Sequence, residues 1–325
     1  MRAIVITAPG GPDVLTLTER DKPVCGEGEL LVKVKATAVN RADVIQRKGN
    51  YPAPPGCVPD VPGLEYAGVI EAVGEGVDNY KVGDRVMGLM PGGTYQDYLV
   101  TDQSTAIAIP EQFSYQEAAA IPEAFVTAFD AAFLQAGLKS GETMLVTAAA
   151  SGVGIAAGQL ARAFGCRSIG TIRQKSKATK LKSYFDHVIV AKEAEFAFEV
   201  TALGGSDVVL DLVGGDYVEE NLQCINRHGR IMVVGLLAGS KGNISLNLLL
   251  SKRVSIKGTT LRARPLEEKA KITRAFIDQV LPHFQNGNLK PEIDQVFPIE
   301  KAAEAHIFME ENKNFGKIVL TLEDN

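Results

Sequence analysis

The sequence is short of the residues and runs that mark several common classes of protein. Its 325 residues include four cysteines and four histidines, and it contains no C-x-x-C pair. Isolated cysteines predict neither a disulfide framework nor a zinc knuckle, and they suit a reducing compartment. No apolar run is long enough to span a bilayer, and the N-terminus lacks the apolar core of a signal peptide. We therefore expect a cytoplasmic protein that has no membrane partner and no bound metal.

Strong charge of either sign is also missing. The net charge of −5 gives no reason to expect a nucleic-acid partner. Hydrophobic residues make up 46% and charged residues 22%, which is the composition of an ordinary globular protein. A chain of 325 residues is too long for one comfortable core, so two domains are expected.

The first third of the chain is rich in strand signals. Short apolar or alternating runs over 1–6, 30–38, 66–73 and 85–89 are separated by Gly, Pro and Asp clusters. This pattern predicts a compact, mostly antiparallel β unit, with one short helix over 40–47.

Further along, apolar strands alternate with helical stretches from Thr143 onward. The alternation predicts parallel β-α-β units and a doubly wound sheet. A long helix over 265–284 and a last strand over 316–322 then return to the first domain. The predicted fold class is α/β, with domain boundaries at 1–121 (β domain), 122–261 (dinucleotide-binding domain) and 262–325 (return segment).

A strand, a small-residue turn and a helix follow one another over 144–164. In a dinucleotide fold, small residues let the backbone approach the pyrophosphate, and the N-terminus of the helix offers free N–H groups. The usual G-x-G-x-x-G appears here as Ala149-x-Ser151-x-x-Gly154, so context rather than the bare motif favours a cofactor site over a closely packed turn. The predicted phosphate-binding residues are Ser151, Gly152, Val153 and Gly154.

The second strand of this region lacks the acidic residue that NAD sites use for the ribose. No Asp or Glu occurs between Ile155 and Phe185, whereas Arg173, Lys175 and Lys177 follow the strand directly. A cationic cluster attracts the 2′-phosphate of NADP, and the hydroxyl of Thr171 is a further candidate contact. A solvated basic helix face is the alternative. We predict NADPH as the cofactor.

Two later strand ends also belong to the predicted cofactor site, because ligands lie outside the carboxyl ends of parallel strands. The first supplies Val213, and the second supplies Gly235, Leu236 and Leu237. Each segment has glycine where backbone could pass close to a ligand, although an ordinary turn would explain either one.

The chain resembles a known family over nearly its whole length. The matching stretches are Asn40-Arg41-Ala42-Asp43, Pro62-Gly63-Leu64-Glu65, Val82-Gly83-Asp84-Arg85-Val86, 118–124, Thr127-Ala128, 151–154, Leu281-Pro282-His283-Phe284 and 312–320. In this order they are similar to the zinc-free quinone oxidoreductases of the medium-chain dehydrogenase/reductase superfamily. Within these, the chain is most similar to the branch that includes a tumour-suppressor-induced quinone reductase.

The resemblance implies a GroES-like β domain, a Rossmann domain and an active-site cleft between them. It also implies a homodimer or homotetramer joined by sheet edges, for which 254–260 is the candidate edge. Zinc alcohol dehydrogenases of this superfamily carry a cysteine where this chain has Asn40 and a histidine where it has Leu64. Because a catalytic zinc needs about three protein ligands, a zinc mechanism is not expected.

By the same resemblance, Asn40 and Tyr51 act on the substrate and Thr127 contacts the nicotinamide end of the cofactor. Phe315, Gly316 and Lys317 return to the same site from the C-terminal segment. Asn40 could instead be a helix N-cap, and Tyr51 a loop packing residue. No general acid stands out from the sequence.

The expected function is NADPH-dependent transfer of a hydride to a small-molecule quinone. Reduction of an enoyl or 2-alkenal C=C bond uses the same hydride and is the alternative among enzymes. A cofactor-binding structural or sensor protein with little turnover is the alternative of another class, because a fold alone does not settle function.

Overall fold

The structure, a computed structural model, describes residues 1–191 and 194–322. The chain forms two compact units. The first unit runs from Met1 to Glu123 and resumes at Leu261, and the second runs from Ala124 to Thr260. No helix within the described ranges is long and apolar enough to cross a membrane.

Strands and helices are numbered in chain order. The strands are β1 (Arg2–Ile6), β2 (Leu15–Glu19), β3 (Glu29–Val39), β4 (Glu65–Val73), β5 (Arg85–Leu89), β6 (Tyr98–Asp102), β7 (Ala106–Ala108), β8 (Thr143–Val146), β9 (Arg167–Ile172), β10 (His187–Val190), β11 (Ser206–Asp211), β12 (Ile225–Val233), β13 (Ser255–Gly258), β14 (Ile293–Pro298) and β15 (Lys317–Thr321). The helices are α1 (Arg41–Arg47), α2 (Tyr115–Ala119), α3 (Thr127–Phe129), α4 (Gly152–Ala163), α5 (Ala178–Leu181), α6 (Ala197–Ala202), α7 (Tyr217–Cys224), α8 (Leu246–Lys252), α9 (Leu266–Gln279), α10 (Leu281–Gln285) and α11 (Ala302–Glu310).

The first unit is built on a seven-stranded sheet in the order β14-β15-β3-β4-β5-β7, with β6 also pairing with β3. All of its pairs are antiparallel except β14 with β15. The long strand β3 is at its centre, and its inward residues Leu30, Val32 and Val34 are fully buried in the core. The C-terminal strand β15 pairs with β3, so the last segment of the chain completes the sheet of the first unit.

The second unit contains a six-stranded parallel sheet in the order β10-β9-β8-β11-β12-β13. Numbered from the first strand of this unit, the order is 3-2-1-4-5-6, which is the Rossmann arrangement. Every residue of β8 is buried, as expected for a parallel strand covered by helices on both faces. The predicted α/β class, a GroES-like β domain with a Rossmann sheet, is therefore confirmed.

The single helix predicted over 265–284 is wrong, because the structure has two helices there. Helix α9 ends at Gln279, and α10 begins at Leu281 with Pro282 in its first turn. Proline has no N–H to donate to the preceding turn, so a helix passes it only with a break or a kink. Helix α3 is flanked by π-helical turns over Pro122–Val126 and Asp130–Gln135.

Candidate active site and cofactor site

The turn between β8 and α4 has the geometry of a phosphate-binding turn. Ser151 is the N-cap of α4, and its Oγ accepts a hydrogen bond from the Gly154 N–H at 3.1 Å. A Cβ on Gly154 would lie 2.6 Å from the Ala149 carbonyl oxygen, so only glycine fits there. Helix α4 is 12 residues long, and the N–H groups of Gly152 and Val153 in its first turn have no carbonyl one turn earlier to bind. The turn therefore offers N–H donors and the positive end of a helix dipole to a phosphate.

The end of the neighbouring strand β11 is held beside this turn by hydrogen bonds. The Oγ1 of Thr147, just after β8, donates to Asp211 Oδ1 at 3.1 Å, and the N–H groups of Val213 and Gly214 donate to the same oxygen. Asp211 is fully buried, and its Oδ2 has no hydrogen-bond partner among the described residues. Because β8 and β11 are the two strands between which the strand order reverses, this is the position where Rossmann folds bind the dinucleotide.

The cations predicted to contact the 2′-phosphate follow the end of β9. Arg173 and Lys175 are exposed and Lys177 is partly buried, whereas Thr171 is buried within the strand. The carbonyl of Thr171 accepts the Ala149 N–H at 3.0 Å, which ties the end of β9 to the phosphate-binding turn. The nearest acid in sequence, Asp186, accepts hydrogen bonds from the N–H and Oγ of Ser168 at the other end of β9. The end of β9 is thus basic.

The remaining predicted cofactor residues of the second unit have different surroundings. Val213 is buried, and a Cβ on Gly235 would lie 2.4 Å from the Leu212 carbonyl oxygen. Leu236 and Leu237 are more than half exposed, at 56% and 53%. The hydroxyl of Thr127 is buried and has no hydrogen-bond partner in the part of the chain that the structure describes. A buried hydroxyl without a partner costs free energy, which a ligand's hydrogen bond would recover.

In the first unit, the structure brings Asn40 and Lys317 together around the carboxylate of Glu65. The Lys317 ammonium donates to Glu65 Oε1 and to Asn40 Oδ1, both at 2.6 Å, and Asn40 Nδ2 donates to Glu65 Oε1 at 2.8 Å. Glu65 is fully buried, and Lys317 is 5% exposed. Removing one partner from such a buried pair would leave an uncompensated charge. Lys317 is therefore part of a polar cluster that its position in the sequence did not predict.

Asn40 is also the N-cap of α1, as one reading of the sequence proposed. Its backbone N–H donates to Asp43 Oδ2 at 2.7 Å, in a capping box. The Asn40 side chain belongs to the polar cluster around Glu65, and its second amide hydrogen faces the Ala38 carbonyl at 3.3 Å. Both amide hydrogens have acceptors within the protein, so Asn40 fixes Glu65 and Lys317 and has no spare donor for a substrate.

Asp43 links this cluster to a second buried network. It accepts N–H groups from Asn40 and Gly63, and Tyr95 Oη donates to it at 3.4 Å. Burial raises the pKa of Asp43 to about 6, and the two N–H groups oppose the rise. Beyond Tyr95, His306 has a pKa lowered to about 3 by burial and by the Arg47 cation, so the imidazole is neutral. The ring of His306 is fully buried.

The phenol of Tyr51 differs from these groups because its oxygen is available to bond to a ligand. No hydrogen bond reaches Tyr51 Oη from any residue in the described ranges, and the residue is partly buried. Its ring is 4.8 Å from the Arg262 guanidinium, whose Nη1 donates to the Tyr51 carbonyl at 3.0 Å. Burial raises the pKa of Tyr51, so the phenol keeps its proton at neutral pH.

Arg262 is a further residue that shapes the site. Its guanidinium is buried and bonded within the unit. Its three nitrogens donate to the carbonyls of Pro91 and Tyr51 and to Gln46 Oε1. Arg262 therefore holds the loop that carries Tyr51. No sequence signal distinguished it from a surface arginine.

The C-terminal residues next to Lys317 are held by β14. The Phe315 N–H donates to Asp294 Oδ2 at 3.1 Å, and the Lys317 N–H donates to the Glu292 carbonyl at 2.8 Å. Gly316 adopts a φ of 88°, and a Cβ there would lie 2.4 Å from the Glu292 carbonyl oxygen. This glycine conformation places the Lys317 side chain beside Glu65, while Phe315 is buried.

The side chains around Glu65 do not fit a zinc ion. An amide, an ammonium and a backbone N–H donate to its carboxylate, and Leu64 beside it has no donor atom for a metal. Across residues 1–191 and 194–322, no three His, Cys, Asp or Glu side chains converge on a possible metal position.

Comparison with known proteins identifies the family. Residues 26–111 match the alcohol dehydrogenase GroES-like domain, and residues 185–320 match a family described as zinc-binding dehydrogenase. A pig (Sus scrofa) quinone oxidoreductase is 33% identical over 99% of this chain and 98% of its own length. The zebrafish (Danio rerio) synaptic vesicle membrane protein VAT-1 homolog is 33% identical over 99% of this chain and 70% of its own length.

Solved structures agree with this result. The Escherichia coli quinone oxidoreductase complexed with NADPH has a TM-score of 0.87 and 29% identity, covering 99% of this chain and 100% of its own. The JamJ enoyl reductase in its apo form has a TM-score of 0.87 and 28% identity, covering 98% of this chain and 99% of its own. The chain therefore belongs to the medium-chain dehydrogenase/reductase superfamily and is an NAD(P)H-dependent oxidoreductase.

Proposed function

We propose that the chain is a cytoplasmic, metal-independent NADPH:quinone reductase. The observation that carries this proposal is the basic end of β9 beside the phosphate-binding turn, where Arg173 and Lys175 are exposed. This strand end has no carboxylate that would repel a phosphate, and it offers two cations to a 2′-phosphate. The quinone substrate is supported by the pig and Escherichia coli relatives, whose names state that activity.

The residues of each unit have separate tasks in this reaction. Bound NADPH would supply the hydride. The first-turn N–H groups of α4 would hold the pyrophosphate, Arg173 and Lys175 the 2′-phosphate, and the unpaired Thr127 hydroxyl the nicotinamide end. Tyr51 would donate its phenol hydrogen to the substrate oxygen on which negative charge develops. Asn40 would act indirectly, by keeping Lys317 and Glu65 in place.

Reduction of an activated C=C bond is the second candidate. The same phenol could donate to the carbonyl oxygen of an enone, and the structural likeness to the JamJ enoyl reductase favours this reading. The buried Arg262 guanidinium is bonded within the unit and is not available to the phosphates of a thioester substrate, so we favour a small enone.

Replacing Arg173 with alanine tests the cofactor assignment. We expect KM for NADPH to rise on the order of 10-fold, because a charged contact of about 1.4 kcal/mol is lost, while KM for NADH stays unchanged. The measurement is steady-state oxidation of each nucleotide with an ortho-quinone acceptor. Lys182→Ala is the matched control, since it removes one exposed charge farther along the same basic segment.

The outcomes separate the competing proposals. A wild-type preference for NADH, or an equal effect of Arg173→Ala and Lys182→Ala, would contradict the 2′-phosphate site. Turnover of enones without turnover of quinones would replace the quinone by the second candidate. Tight NADPH binding without turnover of either acceptor would indicate a non-catalytic protein.

A further inference from the structure

Glu123 lies in the candidate active site, and its side chain has no hydrogen-bonding partner among the described residues. Its backbone N–H donates to Glu65 Oε2 at 2.8 Å, which fixes the residue beside the Asn40 and Lys317 cluster. No hydrogen bond or ion pair reaches its carboxyl oxygens from the residues that the structure describes. A partly buried carboxyl group without a donor is more stable with its proton than the same group in water.

The charges around Glu123 reinforce this preference. Glu65 and Asp43 are negative neighbours, and Lys317 and Arg262 are positive ones. Lys317 already pairs with Glu65 and Asn40, and the Arg262 nitrogens donate to acceptors elsewhere. Burial first, and the Glu65 charge second, raise the pKa of Glu123 to about 8. Glu123 therefore holds a proton at neutral pH.

Tyr51 is a second polar side chain whose charge environment includes Glu123. The two side chains lie close enough that Glu123 contributes to the raised pKa of the Tyr51 phenol. Both have a polar end without a hydrogen bond to the described residues, whereas Asn40, Glu65 and Lys317 hold one another. The available polar groups of this part of the first unit are thus a phenol and a carboxylic acid.

We propose that Glu123 is the proton donor of the reductase, a role that nothing in the sequence assigned. The inference rests on the proposed function. Bound NADPH would transfer its hydride to the quinone and be oxidised to NADP⁺, and the electron pair displaced in the quinone would become negative charge on a substrate oxygen. The carboxyl O–H bond of Glu123 then breaks and an O–H bond forms on that oxygen, to which the Tyr51 phenol donates a hydrogen bond. The carboxylate then regains a proton from solvent, so one hydride and one proton convert the quinone to a hydroquinone.

The first test is the pH profile of turnover in Glu123→Gln and Glu123→Asp. The wild-type kcat should fall as pH rises through about 8, because only the protonated acid donates. Glu123→Gln should lower kcat on the order of 100-fold at neutral pH and lose that ionisation, with NADPH affinity unchanged. Glu123→Asp should retain part of the activity. Glu111→Gln, an exposed acid in the same unit, is the control.

A second measurement does not depend on turnover. Because the folded-state pKa of Glu123 is raised from 4.5 to about 8, its ionisation destabilises the fold progressively as pH rises through that window. The urea midpoint of Glu123→Gln should therefore match the wild type near pH 5 and exceed it near pH 9. Glu111→Gln should show no such difference between the two pH values.

The outcomes distinguish this inference from the proposed function. If the wild type turns over quinones and Glu123→Gln keeps both its kcat and its pH profile, Glu123 is not the donor. Equal midpoints of Glu123→Gln and wild type near pH 9 would overturn the claim that Glu123 holds the proton. A wild type that reduces neither quinones nor enones overturns the proposed function and the donor with it.

Discussion

The side chain of Arg262 holds separate segments of the first unit together. It is 6% exposed and connects its own segment to two others that are far from it in sequence, through Gln46 and Tyr51 in one and Pro91 in the other. Its planar guanidinium directs its donors along fixed directions, which a lysine ammonium on a flexible stem does not reproduce. The position of Tyr51 therefore depends on an arginine 211 residues away in sequence.

Arg262→Lys should consequently lower both stability and turnover. We expect a loss on the order of 2 kcal/mol in the free energy of unfolding, because at least one of the three buried or partly buried acceptors is left without a donor. Urea unfolding measures this loss, and kcat with a quinone measures the displacement of Tyr51. Arg274→Lys is the control, since Arg274 is 76% exposed in its ion pair with Asp278. Equal stability of the two variants would show that the Arg262 contacts contribute little.

At the scale of elements, the Rossmann strands were predictable and several others were not. Residues 144–146 of β8 and 208–210 of β11 form continuous apolar runs because both faces of the sheet are covered, and such runs stand out in a sequence. Strand β14 escaped prediction since no residue of Ile293–Pro298 is fully buried and its sequence has no clear alternation. Its parallel pairing with β15 is a tertiary contact that local pattern does not carry.

The same limit applies to the polar cluster. Asn40, Glu65 and Lys317 meet because β15 pairs with the end of β3 and β4 pairs along it. Family resemblance pointed to Asn40 and Lys317 as site residues, but composition and periodicity could not show that they bond to Glu65. Glu123 was likewise visible as part of a motif, while its lack of a partner is a property of the folded unit alone.

The turn between β8 and α4 is the element whose geometry the cofactor depends on most. Gly154→Ala should weaken NADPH binding on the order of 10-fold or more, because the new Cβ lies 2.6 to 2.7 Å from backbone atoms of Ala149. Backbone atoms cannot move aside as a side chain can, so the turn itself must shift. Fluorescence titration with NADPH measures the change. Gly258→Ala is the control, since its Cβ would enter open space, and an equal affinity of both variants would argue against the close approach.

At the scale of the whole molecule, the open edge of the Rossmann sheet suggests how copies assemble. Strand β13 is the last strand of the sheet, and all four of its residues are exposed. Leu246 and Leu250 on α8 are 64% and 75% exposed. An unprotected strand edge flanked by apolar side chains is a template for pairing with another chain. We predict a dimer in which two β13 strands pair about a twofold axis.

A twofold axis makes the predicted interface sensitive to charge, because each substitution meets its own copy. Ile256→Lys in β13 places two like charges near each other, so the dimer should dissociate at concentrations where the wild type stays associated. Light scattering behind size exclusion reports the mass of each species. Ile307→Lys is the matched control, since Ile307 on α11 is 46% exposed and belongs to the other unit. An unchanged mass for Ile256→Lys, or a monomeric wild type, would show that β13 is a free edge in solution. The charge of the adjacent Lys257 would then be what protects this edge from pairing.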